Sequence, residues 1–264
     1  MSERDEYPAG VPCWVEGLHR DPDAARDFYG ALMGWEFEGS GGEPEYFVAR
    51  LRGRDVAGLA SMPQAVEDAD GVWMTHVAVD DAAAIAEAAG VAGGRVMAGP
   101  LDVPPAGRLA VIADPGGAGF CAWDGQARAG AQVINEAGAW AMSLLHTPDA
   151  DGADAFYKAL FGWEAEPFGP PEANIAVYRL PGYVGGEPSQ PVPRDVVAVR
   201  MPLEDGEPRW RPDFWAADAE AVAAQTGERG GTVVTAPYDA PPFKQAVLSD
   251  PEGGTFSVSQ LMAD

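Results

Sequence analysis

The sequence predicts an α+β fold built as a tandem duplication, each copy consisting of paired βαβββ modules, and three observations carry that reading. A chain of 264 residues with 47% hydrophobic content exceeds the usual domain of roughly 100–200 residues and suits two cores. Four blocks then recur in the same order. Residues 21–35 (DPDAARDFYGALMGW) return as 149–163 (DADGADAFYKALFGW) at an offset of 128. The stretch from Trp73 to Asp81 is matched from Trp210 to Asp218, and 93–100 (GGRVMAGP) by 230–237 (GGTVVTAP), both at 137. Asp114 and Pro115 are matched by Asp250 and Pro251 at 136. Offsets that drift only by loop length are the mark of duplication. Within each copy, finally, segments of period two alternate with segments of helical period.

The elements follow in order. Residues 14–18 read as a short opening strand. Asp21 or Asp23 can cap a helix whose Ala24, Phe28, Ala31 and Leu32 recur at helical spacing, and Gly34 ends it. Residues 46–51 and 56–61 alternate as a hairpin turning at Gly53. After Gly71 come a strand over 74–79, a cap at Asp80 or Asp81 and an alanine-rich helix to about Ala89. Strands near Val96, over 109–113 and over 119–123 complete the copy. The expected boundaries are 1–126, a linker at 127–138 and 139–264. The linker, rich in Gly and Ala with Arg128 and Gln132, is expected to dock rather than dangle. The proline-bearing stretch 181–209 is a candidate mouth loop.

Composition narrows the function. No run approaches the roughly 18 apolar residues of a membrane span, so a cytoplasmic location is expected. Cys13 and Cys121 lack the spacing of a redox or zinc motif. A formal charge of −24 would repel phosphate backbones and anionic headgroups, which argues against nucleic acid and membrane partners. The expected partner is a small molecule, and the chain is expected as a monomer containing an internal pseudo-dimer or as a homodimer. Lys158 and Lys244 are the only lysines among 17 basic residues, an arginine bias typical of high-GC genomes.

Residues 12–16 (PCWVE), Asp21, 28–35 (FYGALMGW), Trp73 with His76, Asp80 and Asp81, Gly107-Arg108 and Asp114-Pro115 span nearly the whole chain. Together they resemble the vicinal oxygen chelate superfamily of glyoxalases, bleomycin-resistance proteins and extradiol dioxygenases, in its two-domain actinobacterial glyoxalase-like branch. The resemblance implies a curled mixed sheet around a cavity in each glyoxalase-like domain. In metal-dependent relatives His, Glu or Gln side chains on the strands hold a first-row metal. Carried over by counting from the motifs, those positions fall on Trp14, Met74 and Cys121 in the first copy and on Met142, Arg211 and Ser257 in the second. In the hairpin 46–61 the one carboxylate is Asp55, at the turn. No metal and no cofactor are therefore expected.

Strand parity places Trp14, Glu16, Leu18, Met74, His76, Ala78, Cys121 and Trp123 on one face of the first copy. The second offers Met142, Leu144, His146, Arg211, Asp213, Trp215, Ser257 and Ser259. Glu16, its pKa raised by Trp14 and Trp123, can orient a ligand or serve as a base, and His76 can pair with it as acid and base. Both have a bland alternative: a carboxylate bonded to backbone or to Arg108, and a satisfied histidine on a sheet face. Arg108 and its counterpart Lys244 can meet an anionic group or pair with surface acids. His19 is expected to face solvent. Cys121 lacks the positive surroundings of a reactive thiol. Phe28, Tyr29, Trp35 and their counterparts are expected to pack helix on sheet, whereas Trp73 and Trp210 are open. The leading expectation is a metal-free binding protein for an aromatic or hydrophobic metabolite, in natural-product resistance or tailoring. The alternatives are a metal-independent isomerase, cyclase or lyase using Glu16 and His76, and a metal-dependent lyase or dioxygenase.

Overall fold

A computed structural model describes residues 2–39, 45–64, 69–185, 192–203 and 206–262. In the first half, β2 (Pro12–His19), α1 (Pro22–Met33), β3 (Glu36–Gly39), β4 (Tyr46–Leu51) and β5 (Arg54–Ser61) form one module. The second comprises β6 (Val72–Ala78), α2 (Ala82–Val91), β7 (Arg95–Val103), β8 (Gly107–Ala113) and β9 (Gly119–Gly125). Their strands join in one mixed sheet of order β3-β4-β5-β2-β6-β9-β8-β7.

The second half repeats the plan with β11 (Trp140–Thr147), α3 (Ala150–Phe161), β12 (Glu164–Phe168), β13 (Ile175–Arg179) and β14 (Val196–Pro202). It continues with β15 (Arg209–Trp215), α4 (Ala219–Glu228), β16 (Thr232–Ala240), β17 (Phe243–Ser249) and β18 (Thr255–Leu261). The corresponding order is β12-β13-β14-β11-β15-β18-β17-β16. Each sheet thus draws its strands from a single half. Part of the expected mouth loop, 186–191 and 204–205, lies outside the described residues.

The helices begin where the sequence puts an acid. The Asp21 carboxylate accepts from the Ala24 N–H, Asp81 from Ala83 and Ala84, Asp149 from Gly152 and Asp218 from Ala221, each satisfying an orphan donor of the first turn. Gly34 and Gly162 both close their helices at φ +72°, where a side chain would be strained.

The repeated motifs turn out to join the two halves. Tyr29 of α1 donates to Asp250 of the second half at 2.7 Å and accepts from Trp73 at 2.9 Å. Across the pseudo-dyad, Tyr157 of α3 donates to Asp114 at 3.1 Å and accepts from Trp210 at 3.0 Å. The paired glycines of the repeat serve the same junction. A Cβ on Gly94 would stand 2.7 Å from the Phe156 ring, and one on Gly231 would stand 3.2 Å from that of Phe28. One apolar core accordingly combines Phe28, Tyr29 and Trp35 with Phe214 and Phe256, and the other combines Phe120 and Ile112 with Phe156, Tyr157 and Trp163. The Phe-Tyr pairs are core, as their spacing predicts, but the core is shared between copies.

The expectation that His19 faces solvent is corrected. It is 1% exposed, and its Nε2 lies 2.7 Å from Asp250 Oδ2. The polar appearance of a lone histidine at a strand end concealed a partner 231 residues away.

Between the halves, β10 (Val133–Ile134) pairs with β1 (Ser2–Glu3). Gln132 exchanges hydrogen bonds with both backbone groups of Asp55, and the Ala131 N–H donates to the Cys13 carbonyl at 2.8 Å. The linker is therefore docked on the first half.

Candidate functional site

Each sheet has one face packed toward the helices and the other half, and one turned away from them. In the first half, Val15, Gly17, His19, Trp73 and Thr75 take the inner face. Pairing of Trp14 with His76, Glu16 with Met74 and Glu16 with Gly58 sets Trp14, Glu16, Met74 and His76 together on the outer one. Pairing of His76 with Cys121 and of Ala78 with Trp123 adds those two side chains. Glu16 and His76 are diagonal neighbours across two strands, a separation of roughly 7–8 Å between backbone positions, and they share a face without a direct hydrogen bond.

Glu16 is the chemically distinctive group. Burial pushes its pKa up to about 7, against the opposing effects of a Tyr46 hydrogen bond and the Arg128 charge. Tyr46 also accepts from the Trp14 indole at 3.2 Å. Gly58 makes room for this arrangement, since a Cβ there would sit 2.3 Å from the Tyr46 hydroxyl. His76 is buried with Nε2 unpartnered, and burial lowers its pKa to about 3, so near neutrality it is a neutral imidazole rather than an acid. Burial drives the Cys121 thiol well above its usual range, which removes it as a nucleophile.

The linker covers this face. The Arg128 carbonyl accepts from the Trp123 indole at 2.9 Å, and the Arg128 guanidinium lies 5.7 Å over the Trp14 ring. Trp14 is 3% and Trp123 6% exposed, so the aromatic lining expected of an open pocket is present but closed over. Tyr46 and Gly58 were not singled out from the sequence, and Arg128 was noted only as part of the docking linker. The parity of the hairpin strand and a glycine directly opposite Glu16 are the signals that point to the first two.

The second half presents different chemistry. Pairing of Leu144 with Arg211, Met142 with Asp213 and His146 with Arg209 places these side chains on the outer face, and Asp213 and Trp215 pair onward to Ser257 and Ser259. Asp213 is buried, which raises its pKa to about 6 against hydrogen bonds from both serines and the Arg211 charge. Burial lowers Arg211 to about 10 and His146 to about 3, the latter helped by the Arg211 and Arg209 charges. Met142, Leu144 and Trp215 at the rim are partly exposed.

Arg108 does not join either group. It stands opposite Asp124 in register and forms an ion pair with Asp102 on the opposite side of the sheet, and Lys244 likewise meets Glu220. The surface-pairing alternative describes both.

The metal implied by the resemblance does not fit these residues. Indole, thioether and a protonated thiol occupy the carried-over positions of the first half, and thioether, guanidinium and hydroxyl those of the second. Among the described residues no three His, Cys, Asp or Glu side chains converge as a metal site. No described helix is long and apolar enough to cross a membrane.

Comparison with known proteins agrees with this architecture. A family model described as a glyoxalase-like domain matches residues 15–123 and again 142–259. The chain is 36% identical over 271 residues to CFP32 of Mycobacterium tuberculosis, a protein carrying a glyoxylase name, covering 98% of this chain and 97% of that one. It is 31% identical over 274 residues to the anthracycline biosynthesis protein DnrV of Streptomyces peucetius, covering 97% and 94%. Among solved structures, a Mn(II)-bound glyoxalase from Novosphingobium aromaticivorans superposes with TM-score 0.65 at 15% identity, covering 100% of this chain and 84% of that one. The 2,2',3-trihydroxybiphenyl 1,2-dioxygenase of Sphingomonas wittichii superposes with TM-score 0.63 at 14% identity, covering 97% and 93%. The chain belongs to the glyoxalase-like family of the vicinal oxygen chelate superfamily, with one such domain in each half.

Proposed function

We propose that the protein binds a small aromatic or hydrophobic metabolite without a metal, on the sheet face bearing Trp14, Glu16, Met74, His76 and Trp123. The observation that carries this reading is that an indole, a thioether and a protonated thiol, groups that suit organic surface better than a metal cation, stand at the carried-over positions Trp14, Met74 and Cys121 of this face. An indole pair with a thioether gives planar contact area, and one ionisable acid gives orientation. The Arg128 strap is the element that would move on entry. The name of the Streptomyces relative adds a substrate class to try, the hydroxylated polycyclic quinones of natural-product tailoring.

A second reading rests on Glu16 alone. A carboxyl with a pKa near 7 is matched to proton transfer at neutral pH, so a metal-independent isomerase, cyclase or lyase with Glu16 as base and neutral His76 as a positioning group is consistent with the same geometry.

One titration addresses both. Tryptophan fluorescence is followed as 1,4-dihydroxyanthraquinone is added in the presence of chelator. Saturable quenching is expected, weakened at least about tenfold by Trp14→Ala, an amount typical of losing a buried aromatic contact. Quenching that is non-saturable, or identical in wild type and Trp14→Ala, removes the binding reading. Conversion of the quinone by wild type but not by Glu16→Gln selects the enzyme reading over simple binding.

A further inference from the structure

The outer face of the C-terminal half contains three buried polar groups that the described chain leaves unsatisfied: His146 Nε2, Arg211 Nε and Asp213 Oδ1. All three residues are at least nine-tenths buried, at 8%, 9% and 5% exposure, and strand register brings all three to the same face. Buried polar groups are nearly always paired, and leaving them unpaired is costly, most of all for charged ones, so three kept together point to an occupant that satisfies them. Arg211 and Asp213 stand two residues apart on β15 and feel each other's charge, yet Arg211 Nε and Asp213 Oδ1 each have no hydrogen-bond partner among the described residues. They do not simply satisfy each other.

From this arrangement we infer a second binding site, independent of the N-terminal face, for a small organic carboxylate that also bears a hydroxyl group. Arg211 holds the carboxylate, and Asp213 and His146 accept from hydroxyl. The donor and acceptor inventory supports each assignment. A guanidinium offers only donors and favours an oxyanion. The His146 ring bonds the backbone of Pro202, which has only a carbonyl to offer, so the ring donates there and leaves Nε2 as a bare acceptor. Asp213 Oδ1 is a second acceptor, its carboxylate being steadied by Ser257 and Ser259. Met142, Leu144 and Trp215 supply a partly exposed apolar rim through which an organic body can enter. The repeat shows that this charge is particular to the second copy: the positions of Arg211, Asp213 and His146 are held by Met74, His76 and Leu18 in the first. In a protein of net charge −24, a buried guanidinium is also the local compensation that an anion requires.

Isothermal titration with salicylate, mandelate and lactate tests the site, with salicylamide as the neutral counterpart of salicylate and benzoate as the form lacking the hydroxyl. At least one of the three hydroxy acids is expected to bind saturably. Where salicylate binds, it should do so at least tenfold more tightly than salicylamide and more tightly than benzoate. Arg211→Gln should weaken binding at least tenfold, while Arg108→Gln, on the opposite side of the other sheet, leaves it unchanged. Absence of binding by all three acids at millimolar concentration overturns the inference, as does equal affinity for salicylate and salicylamide or unchanged binding by a folded Arg211→Gln. If Arg211→Gln does not fold, the wild-type preference for the bound acid over its own amide (salicylamide, mandelamide or lactamide) decides, and equal affinity overturns the inference. Because the quinone titration uses a different probe and Trp14, the failure of either site is distinguishable from failure of the other.

Discussion

Asp250→Ala is expected to be the most destabilising single substitution at the junction of the halves, by about 3–5 kcal/mol, since each buried donor left without its acceptor costs roughly 1–3 kcal/mol. Its carboxylate accepts from His19 and Tyr29 and from the N–H groups of Glu252 and Gly254, so four donors lose their acceptor at once. For a chain of this length, each kcal/mol lowers Tm by roughly 2–4 °C, so scanning calorimetry should show a fall of about 10 °C. A Tm within a degree of wild type would contradict the clasp. The pseudo-symmetric Asp114 provides an internal comparison, because Thr147 replaces His19 beside it. Burial pushes Asp250 up, but His19, Tyr29 and the backbone donor outweigh it and hold the acid below its ordinary value. Asp114, lacking the imidazole, stays raised by burial despite its hydrogen bonds.

The two acids therefore respond to pH in opposite senses. With a folded pKa below the unfolded one, Asp250 stabilises above the ordinary carboxylate range of about 3.9, and that contribution is lost as pH falls through its folded value. With a folded pKa above the unfolded one, Asp114 is unfavourable when ionised, and acidification through its folded value relieves the cost. Asp250→Asn should thus cost most at neutral pH, and Asp114→Asn should cost less there.

Glu16→Gln should act in the other direction and stabilise the protein in alkali. A carboxyl whose pKa rises to about 7 on folding imposes no penalty below its ordinary value, a growing one between there and pH 7, and the full one above. The full penalty is on the order of 3 kcal/mol, and a neutral amide of the same shape escapes it while still able to accept from Tyr46. Urea unfolding should show Glu16→Gln more stable than wild type by about 2–3 kcal/mol at pH 8 and indistinguishable from it at pH 4. Equal stability at pH 8, or a loss, would mean that Glu16 is not held in an environment hostile to charge. Destabilisation retained at one ionisable position is what a ligand or proton-transfer role would preserve.

Most of the fold was readable because period, caps and turn glycines are local. Asp21, Gly34, the hairpin at Gly53 and the face shared by Trp14, Glu16 and His76 follow from spacing alone. What the matched blocks did not reveal was their direction of packing. Phe28, Tyr29, Trp73, Gly94 and Asp114 recur in both copies because they grip the other copy, and a periodicity argument shows that a side chain is buried without showing against what. His19 was misplaced for the same reason, its partner lying in the other half. The candidate site was legible to the extent that parity governs it. Closure by Arg128 depends on where a linker docks, and the Tyr46 bond to Glu16 depends on the space above Gly58. The first leaves no pattern in one sequence, and the second leaves only the hairpin parity and the glycine opposite Glu16. Arg108 illustrates the converse: it follows Gly107 at a strand start in a motif of the family, yet one step of alternation turns it to the far side of the sheet.

We propose that both sheet faces serve organic recognition in place of metal chemistry, and elemental analysis tests this most directly. Protein purified without chelator is expected to carry well below one equivalent of manganese, iron, nickel, zinc or magnesium, and to show the same Tm before and after dialysis against chelator. One equivalent of any of these, removed by chelator with a fall in Tm, would contradict the account.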